Sequence, residues 1–194
     1  MISDDKMPKT MLYLIRHGRA SGNKAHILNG SRRDVPLTGL GFKQARELAK
    51  KWKIRPDVLL SSPMKRAMST ARVLARKYRM KITREPLLVE QDCGDWTGNN
   101  YFKLMQSHPQ YFFYDEGTVS TYMVRVPGGE SWAAICHRAR KFLMHAKKKY
   151  PGKTIVAVSH GVFMHACWSV KNKIPAPEVY RINIRNTHWR RLEI

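Results

Sequence analysis

Acidic residues are scarce in this chain: 14 Asp and Glu stand against 36 Lys and Arg in 194 residues, a formal net charge of +22. A field of that sign draws in phosphates, nucleic acids and anionic membranes and speeds encounter with small anions, without selecting among them. Lysines on solvated helix faces account for the same excess. Cysteines are few and far apart, at Cys93, Cys136 and Cys167, with no CxxC pair. That excludes a disulfide scaffold, and the three read as buried reduced thiols. Long apolar runs are missing as well. Met11 to Ile15 is far shorter than the ~20 residues of a membrane-spanning helix, so no membrane span is expected. The first ten residues, with Asp4, Asp5 and Pro8, lack the apolar stretch and small-residue cleavage site of a secretion signal, so a cytoplasmic protein is expected. Internal repeats and low-complexity tracts are absent.

What is present is globular: 43% hydrophobic and 26% charged residues over a length that suits a single domain at 1–194. Thr10 to Arg16 (TMLYLIR) is a short apolar run that reads as a buried parallel strand delivering residues to a loop at Gly18. From Gly39, the apolar residues Phe42, Ala45, Leu48, Ala49 and Trp52 recur at helical spacing, with Thr38 as N-cap. Asp57 to Ser61 reads as a second strand, and Ser62-Pro63 as the opening of a second helix with Ala67, Met68, Ala71, Leu74, Ala75 and Tyr78 inward. Lys81 to Leu87 is a candidate third strand. Trp132 to Tyr150 carries an apolar stripe opposite Arg138, Lys141, Lys148 and Lys149, and Thr154 to Ser159 (TIVAVS) reads as a central strand before another short helix. Tyr180–Arg185 and His188–Leu192 alternate about Asn186-Thr187, which predicts a terminal hairpin at an edge. The expected architecture is a three-layer α/β/α sandwich with a mostly parallel sheet and an antiparallel edge. The aromatic stretch at about 98–130, with Tyr101, Phe102, Tyr111, Phe112, Phe113, Tyr114 and Tyr122, reads as a helical cap insertion.

Three strand ends carry polar groups that could converge: Arg16-His17-Gly18, Arg66 shortly after the second strand, and His160-Gly161 after TIVAVS. In an open α/β sheet ligands bind outside the carboxyl ends of the strands. Two arginines and two histidines meeting there make an anion site, because Arg offers a planar fork of donors and His serves either as nucleophile or, protonated, as clamp. Glu90 can supply an acid at the same rim. Each residue alone has a plainer reading: Arg66 lies in a Lys- and Arg-rich helix whose default is a solvated face, and Glu90 is an ordinary surface acid. His160 is the stronger signal, since a polar side chain directly after a fully apolar strand is costly unless used. Metal binding is disfavoured because His160 and His165 are five apart, off the i,i+4 face, with no acidic cluster nearby.

Several segments, in order, resemble the histidine phosphatase superfamily, also called the phosphoglycerate mutase-like family. LIRHGRASGN (Leu14 to Asn23) is similar to its signature loop, and DVPLTGLGFKQA (Asp34 to Ala45) to its PLTxxGxxQA segment. SSPMKRAMSTA (Ser61 to Ala71), LLVEQDCGDWTG (Leu87 to Gly98), PGGES (Pro127 to Ser131) and VSHG (Val158 to Gly161) resemble the motifs that follow. The resemblance implies that His17 is a nucleophile forming a phosphohistidine, that Glu90 is the proton donor and then the base for water, and that His160 completes the catalytic set. It places Arg16, Arg66 and His160, with Asn23 and Gly161, around the phosphate, with no metal or other cofactor. One departure is Arg19, where the family often has Glu, which puts transfer of a particular relative's substrate in doubt. Arg19, Lys103 and Arg125 are the candidates to contact the leaving group.

The resemblance implies a metal-independent phosphomonoesterase acting on a small anionic phosphate or a phosphoprotein. A mutase is the first alternative. Against it, family mutases are longer, and their acid tends to sit in an ERxxG-like context where this chain has EQDCGDW. A basic protein binding nucleic acid or another polyanion is the second, though no RNA- or DNA-binding motif appears and the cations are spread over several helices. Oligomeric state cannot be read from the sequence.

Overall fold

The computed structural model describes residues 8–115, 118–123 and 125–194. A five-stranded sheet in the order β3-β2-β6-β1-β7 is built from β1 (Met11–Arg16), β2 (Val58–Ser61), β3 (Thr83–Arg84), β6 (Thr154–Ser159) and β7 (Trp189–Glu193). All neighbours run parallel except β1 and β7. The apolar runs are continuous because the inner strands are buried on both faces, and side chains alternate between them. Leu12, Leu14, Leu60, Ile155 and Ala157 pack on one face against α4 (Trp132–Lys149) and α5 (Gly161–Asn172). Tyr13, Ile15, Leu59, Val156 and Val158 pack on the other against α1 (Gly39–Lys51) and α2 (Lys65–Tyr78). This is the expected three-layer sandwich, with two cores separated by one sheet.

Local signals set the helix ends. Thr38 Oγ1 accepts the Gly41 N–H to cap α1, and Ser131 Oγ accepts the Ala134 N–H to cap α4. The second helix opens later than expected, at Lys65, because Ser62 is drawn inward: its Oγ pairs with His160 Nε2 at 2.8 Å. Phe42, expected on the inner face of α1, is 39% exposed, whereas Ala45 and Ala49 are buried.

Three expectations are corrected. The third strand shrinks to Thr83–Arg84, since Pro86 starts a 3-10 turn over Pro86–Leu88 and has no N–H to give a ladder. The cap at about 98–130 is not wholly helical. After α3 (Tyr101–Ser107) it forms a two-stranded antiparallel ribbon, β4 (Phe112–Asp115) with β5 (Thr118–Met123), rich in the aromatic and β-branched residues that favour strands. Tyr101 and Tyr111 pack around Trp96, Leu104, Phe112 and Val126 in a core of their own, while Phe102 is 40% exposed. The side chains of Phe113, Tyr114 and Tyr122 lie outside the described residues. The terminal hairpin does not form. Residues 176–180 are helix α6 (Ala176–Tyr180), and β7 takes β1 as its partner in the register Leu12↔Leu192. An isolated two-stranded hairpin is marginal, whereas the free edge of β1 offers a buried neighbour. Among the described residues no helix is long and apolar enough to cross a membrane.

Candidate active site

The parallel order brings the carboxyl ends of β1, β2 and β6 side by side: Arg16 pairs with Ser159 and Ser61 with Val158. The residues that follow them, His17, Ser62 and His160, leave the sheet on one rim, with the His17 N–H on the Ser159 carbonyl and the Ser62 N–H on the Val158 carbonyl. The loop after His17 lies against the start of α1 so closely that a Cβ on Gly41 would sit 2.0 Å from the Arg19 carbonyl oxygen, and one on Gly18 2.5 Å from that of Gly41. Both positions require glycine for this approach. Thr70 of α2 completes the support, accepting the Gly18 N–H and donating to the Arg66 carbonyl.

A cavity of about 170 Å³ opens on this rim, lined by Arg16, His17, Asn23, Arg66 and Glu90 among others. Five of the residues singled out in the sequence therefore share one small space. His17 is 3% exposed. Its Nδ1 lies 2.6 Å from the Gly18 carbonyl, which can only accept, so the proton sits on Nδ1. That leaves the Nε2 lone pair free. Burial, then the charges of Arg66 and Arg16, hold the imidazole well below its usual range, so His17 is neutral at physiological pH. Cys93 also lines the cavity, but burial and the nearby Glu90 and Asp92 push its thiol up to about 12, which leaves no thiolate to compete as nucleophile.

Arg66, expected by default on a solvated face, is 2% exposed. Its guanidinium donates to the Gly30 carbonyl (2.8 Å), the Arg33 carbonyl (3.1 Å) and His160 Nδ1 (3.2 Å). Arg16 donates to the Ile184 carbonyl at 2.6 Å, and its buried Nε has no partner among the described residues. Glu90 accepts from the backbone N–H groups of Gln91, Val162 and Phe163, at the N-terminus of α5. The sequence-derived set divides here. His160 is fully buried and does not line the cavity. It stands behind His17, ring centroids 5.1 Å apart, with Nδ1 accepting from Arg66 and Nε2 donating to Ser62. Gly161 lies against the Arg16 guanidinium, where an added Cβ would be 3.4 Å from Cζ. Lys103 and Arg125 are exposed and line no cavity described at this rim, whereas Arg19 lines a neighbouring one. Among the described residues no three His, Cys, Asp or Glu side chains are grouped to hold a metal ion.

Sequence reasoning missed two arginines beside the site: Arg138, read as part of a solvated face, donates to the Leu87 and Val89 carbonyls of the segment that carries Glu90, and Arg185, read as part of a strand, lines the neighbouring cavity with Arg19. The only signal for Arg138 was its place eight residues after the Glu of PGGES. Arg185 carried none, since its position depends on the loop that replaces the expected hairpin.

The buried histidines make stability depend on pH. His17 and His160 are held well below 6.5, and burial lowers His165 to about 4. The unfolded chain takes up protons at these sites near pH 6.5 and the folded chain does not, so acidification favours unfolding. Stability should fall from about pH 6.5 downward, by up to about 1.4 kcal/mol per pH unit for each histidine, and the His165 share levels off near pH 4. Urea unfolding midpoints at pH 7, 6 and 5 measure this; a flat profile would mean that the histidines are not buried neutral.

Comparison with known proteins places nearly the whole chain among phosphatases. The chain is 32% identical over 158 residues to phosphoserine phosphatase 1 of Hydrogenobacter thermophilus, covering 81% of this chain and 74% of that one. It is 27% identical over 190 residues to the metal-independent phosphoserine phosphatase of Arabidopsis thaliana, covering 93% and 79%. Phosphoserine phosphatase from Entamoeba histolytica, solved with 3-phosphoglyceric acid, superposes with a TM-score of 0.74 at 26% identity, covering 94% of this chain and 89% of that one. The family model of the histidine phosphatase superfamily (branch 1) matches residues 12–194, and the chain belongs to that superfamily.

Proposed function

We propose that the protein hydrolyses small phosphomonoesters whose leaving group carries a second anionic group, through a phosphohistidine on His17. The observation that carries this reading is a neutral imidazole, fixed by its Nδ1–H bond to Gly18, in a cavity shared with two arginines and a carboxyl group. The Nε2 lone pair attacks phosphorus while the bond to the ester oxygen breaks, and protonated Glu90 gives that oxygen its proton. Water then attacks the phosphohistidine, the Glu90 carboxylate takes the proton of the water, and inorganic phosphate leaves with His17 neutral again. Arg16 and Arg66 supply fixed positive charge where the equatorial oxygens gather negative charge.

Two cavities support this substrate class. The catalytic one, about 170 Å³, holds a phosphoryl group and little more. A second, about 620 Å³, shares Arg16 and Asn23 with it and adds Arg19, Arg185, His26 and His188, with no carboxylate in its wall. The main chain of Arg19 is anchored beside it by its backbone N–H on Gln44 Oε1. The second charge is thus received by the first loop and the C-terminal segment rather than by Lys103 and Arg125 of the cap. Phosphoserine, named for several relatives, carries such a charge.

The test is hydrolysis by EDTA-treated protein of matched pairs, phosphoserine against phosphoethanolamine and 3-phosphoglycerate against glycerol 3-phosphate. The carboxylated member should be favoured about tenfold or more in kcat/KM, the scale of one charge-assisted hydrogen-bonded contact. Arg19→Gln with Arg185→Gln should erase the preference. No turnover of any member in EDTA removes the phosphatase reading, and equal use of both members removes the second anion.

A further inference from the structure

Glu90 lies in irregular backbone. Between the 3-10 turn ending at Leu88 and the next one starting at Gly94, no ladder of sheet bonds holds the chain. The carbonyls of four consecutive residues, Leu87 to Glu90, are instead taken by side chains. Ser159 Oγ donates to Leu88, and one guanidinium, that of Arg138 on α4, serves the other three: 2.8 Å to Leu87, 2.7 Å to Val89 and 3.4 Å to Glu90.

The remaining donors of Arg138 go to Glu130. Nε lies 2.9 Å from Oε1 and Nη2 2.6 Å from Oε2, a two-pronged ion pair in which each side chain is 16% exposed. Arginine has five N–H donors, and here five acceptors meet them. Glu130 grips the far side of the same segment: its N–H donates to the Asp92 carbonyl, its Oε2 accepts the Asp92 N–H, and its carbonyl accepts from the Gln91 side chain. The Arg138 guanidinium carbon also lies 4.8 Å from the ring centroid of Phe163, whose backbone N–H holds the Glu90 carboxylate. The pair therefore fixes Glu90 from its backbone while α5 fixes the carboxyl group, yet Arg138 does not line the cavity.

We propose that Arg138, oriented by Glu130, is the positioning residue for Glu90: it sets where the Glu90 carboxyl group stands relative to the ester oxygen and to water. This rests on the reading of Glu90 as acid and base. An arginine that merely stabilised the fold would serve every substrate equally. A positioning residue matters in proportion to the need for Glu90's proton, because a misplacement of about 1 Å can cost about 100-fold in a step that depends on geometry.

The test compares an alkyl phosphate, whose leaving oxygen needs a proton, with 4-nitrophenyl phosphate, whose leaving group departs without one. Glu90→Gln is the reference and should lower kcat/KM for the alkyl ester about 100-fold or more while sparing the aryl ester. Arg138→Met should reproduce that pattern, and added to Glu90→Gln it should lower the alkyl rate little further, since the two act as a unit. With the aryl ester, kcat and KM should fall together and phosphohistidine should accumulate, because attack of water still needs the base.

Arg138→Met strands three carbonyls and the Glu130 charge and could fail to fold, so Glu130→Gln is the second variant. It keeps one oxygen acceptor but loses the ion pair and the second acceptor, and should shift the alkyl-to-aryl ratio the same way by about fivefold. If Glu90→Gln is selective and neither Arg138→Met nor Glu130→Gln is, the positioning role is overturned while the acid role stands. If the variants slow both esters equally, Arg138 is structural only. If Glu90→Gln itself slows both equally, the acid assignment falls first and takes this inference with it.

Discussion

His17→Ala is expected to lower kcat/KM by about 10⁴-fold or more, the scale seen when a nucleophile is removed and only the binding groups around it remain. The cause is specific to one atom. Nδ1 is committed to the Gly18 carbonyl, so Nε2 is the nitrogen that carries the lone pair, and the alanine variant has no other imidazole at the cavity wall. His160 cannot take over, because it lies behind His17 with both ring nitrogens engaged by Arg66 and Ser62. Cys93 lacks the thiolate to do so. Acid-quenched wild type incubated with labelled ester should retain label on protein, and the variant should retain none. Binding of inorganic phosphate should survive, since Arg16 and Arg66 are untouched. Substantial turnover or trapped label in the variant would place the nucleophile elsewhere. The same geometry sets the pH profile: a neutral, buried His17 should give no loss of kcat/KM centred on pH 6.5.

Reading the sheet from the sequence worked where burial acts on both faces. TMLYLIR, DVLLS and TIVAVS hold unbroken apolar runs because their central residues each meet one of two cores, and their ends are polar because the rim is where the sheet stops. His17 could be named as a site residue for that reason, whereas Glu90, beyond a third strand that stops at Arg84, was legible through the LLVEQDCGDWTG resemblance. The reading failed where a partner had to be chosen. Tyr180 to Arg185 alternates like a strand, yet its carbonyls go to side chains: Ile182 to His165 and Ile184 to Arg16. Alternation says which residues face a core, and Ile184 is indeed buried, but it does not say that a ladder forms. Arg138 was unreadable for a related reason. Its acceptors are mostly backbone carbonyls of an irregular segment, and a carbonyl leaves no mark in the sequence. The charge pattern alone did not distinguish Arg66, because a helix rich in lysine and arginine looks solvated whether or not one of its arginines turns inward; its place shortly after the second strand and the SSPMKRAMSTA resemblance did.

That inward turn makes Arg66→Lys the other large effect. Three of the five guanidinium donors are spent within the protein, on Gly30, Arg33 and His160, so one N–H on each terminal nitrogen is left for the phosphoryl oxygens. Lysine brings three donors on a single nitrogen and cannot hold the two carbonyls and His160 while presenting a fork. Two separable losses are expected. Stability should drop by about 1–3 kcal/mol, because the buried Gly30 carbonyl loses its partner and the Arg33 carbonyl loses its own at the edge of the site. Turnover should drop about 10²- to 10³-fold in kcat/KM, the cost of removing one preorganised donor set from developing charge. Thermal melts with and without inorganic phosphate distinguish the two: wild type gains stability as phosphate exceeds its Kd, and the lysine variant should gain much less at the same concentration. A variant that is destabilised yet keeps the full phosphate gain and turnover within about threefold would assign Arg66 to scaffolding alone, leaving Arg16, with its unpartnered Nε, as the principal cation of the cavity.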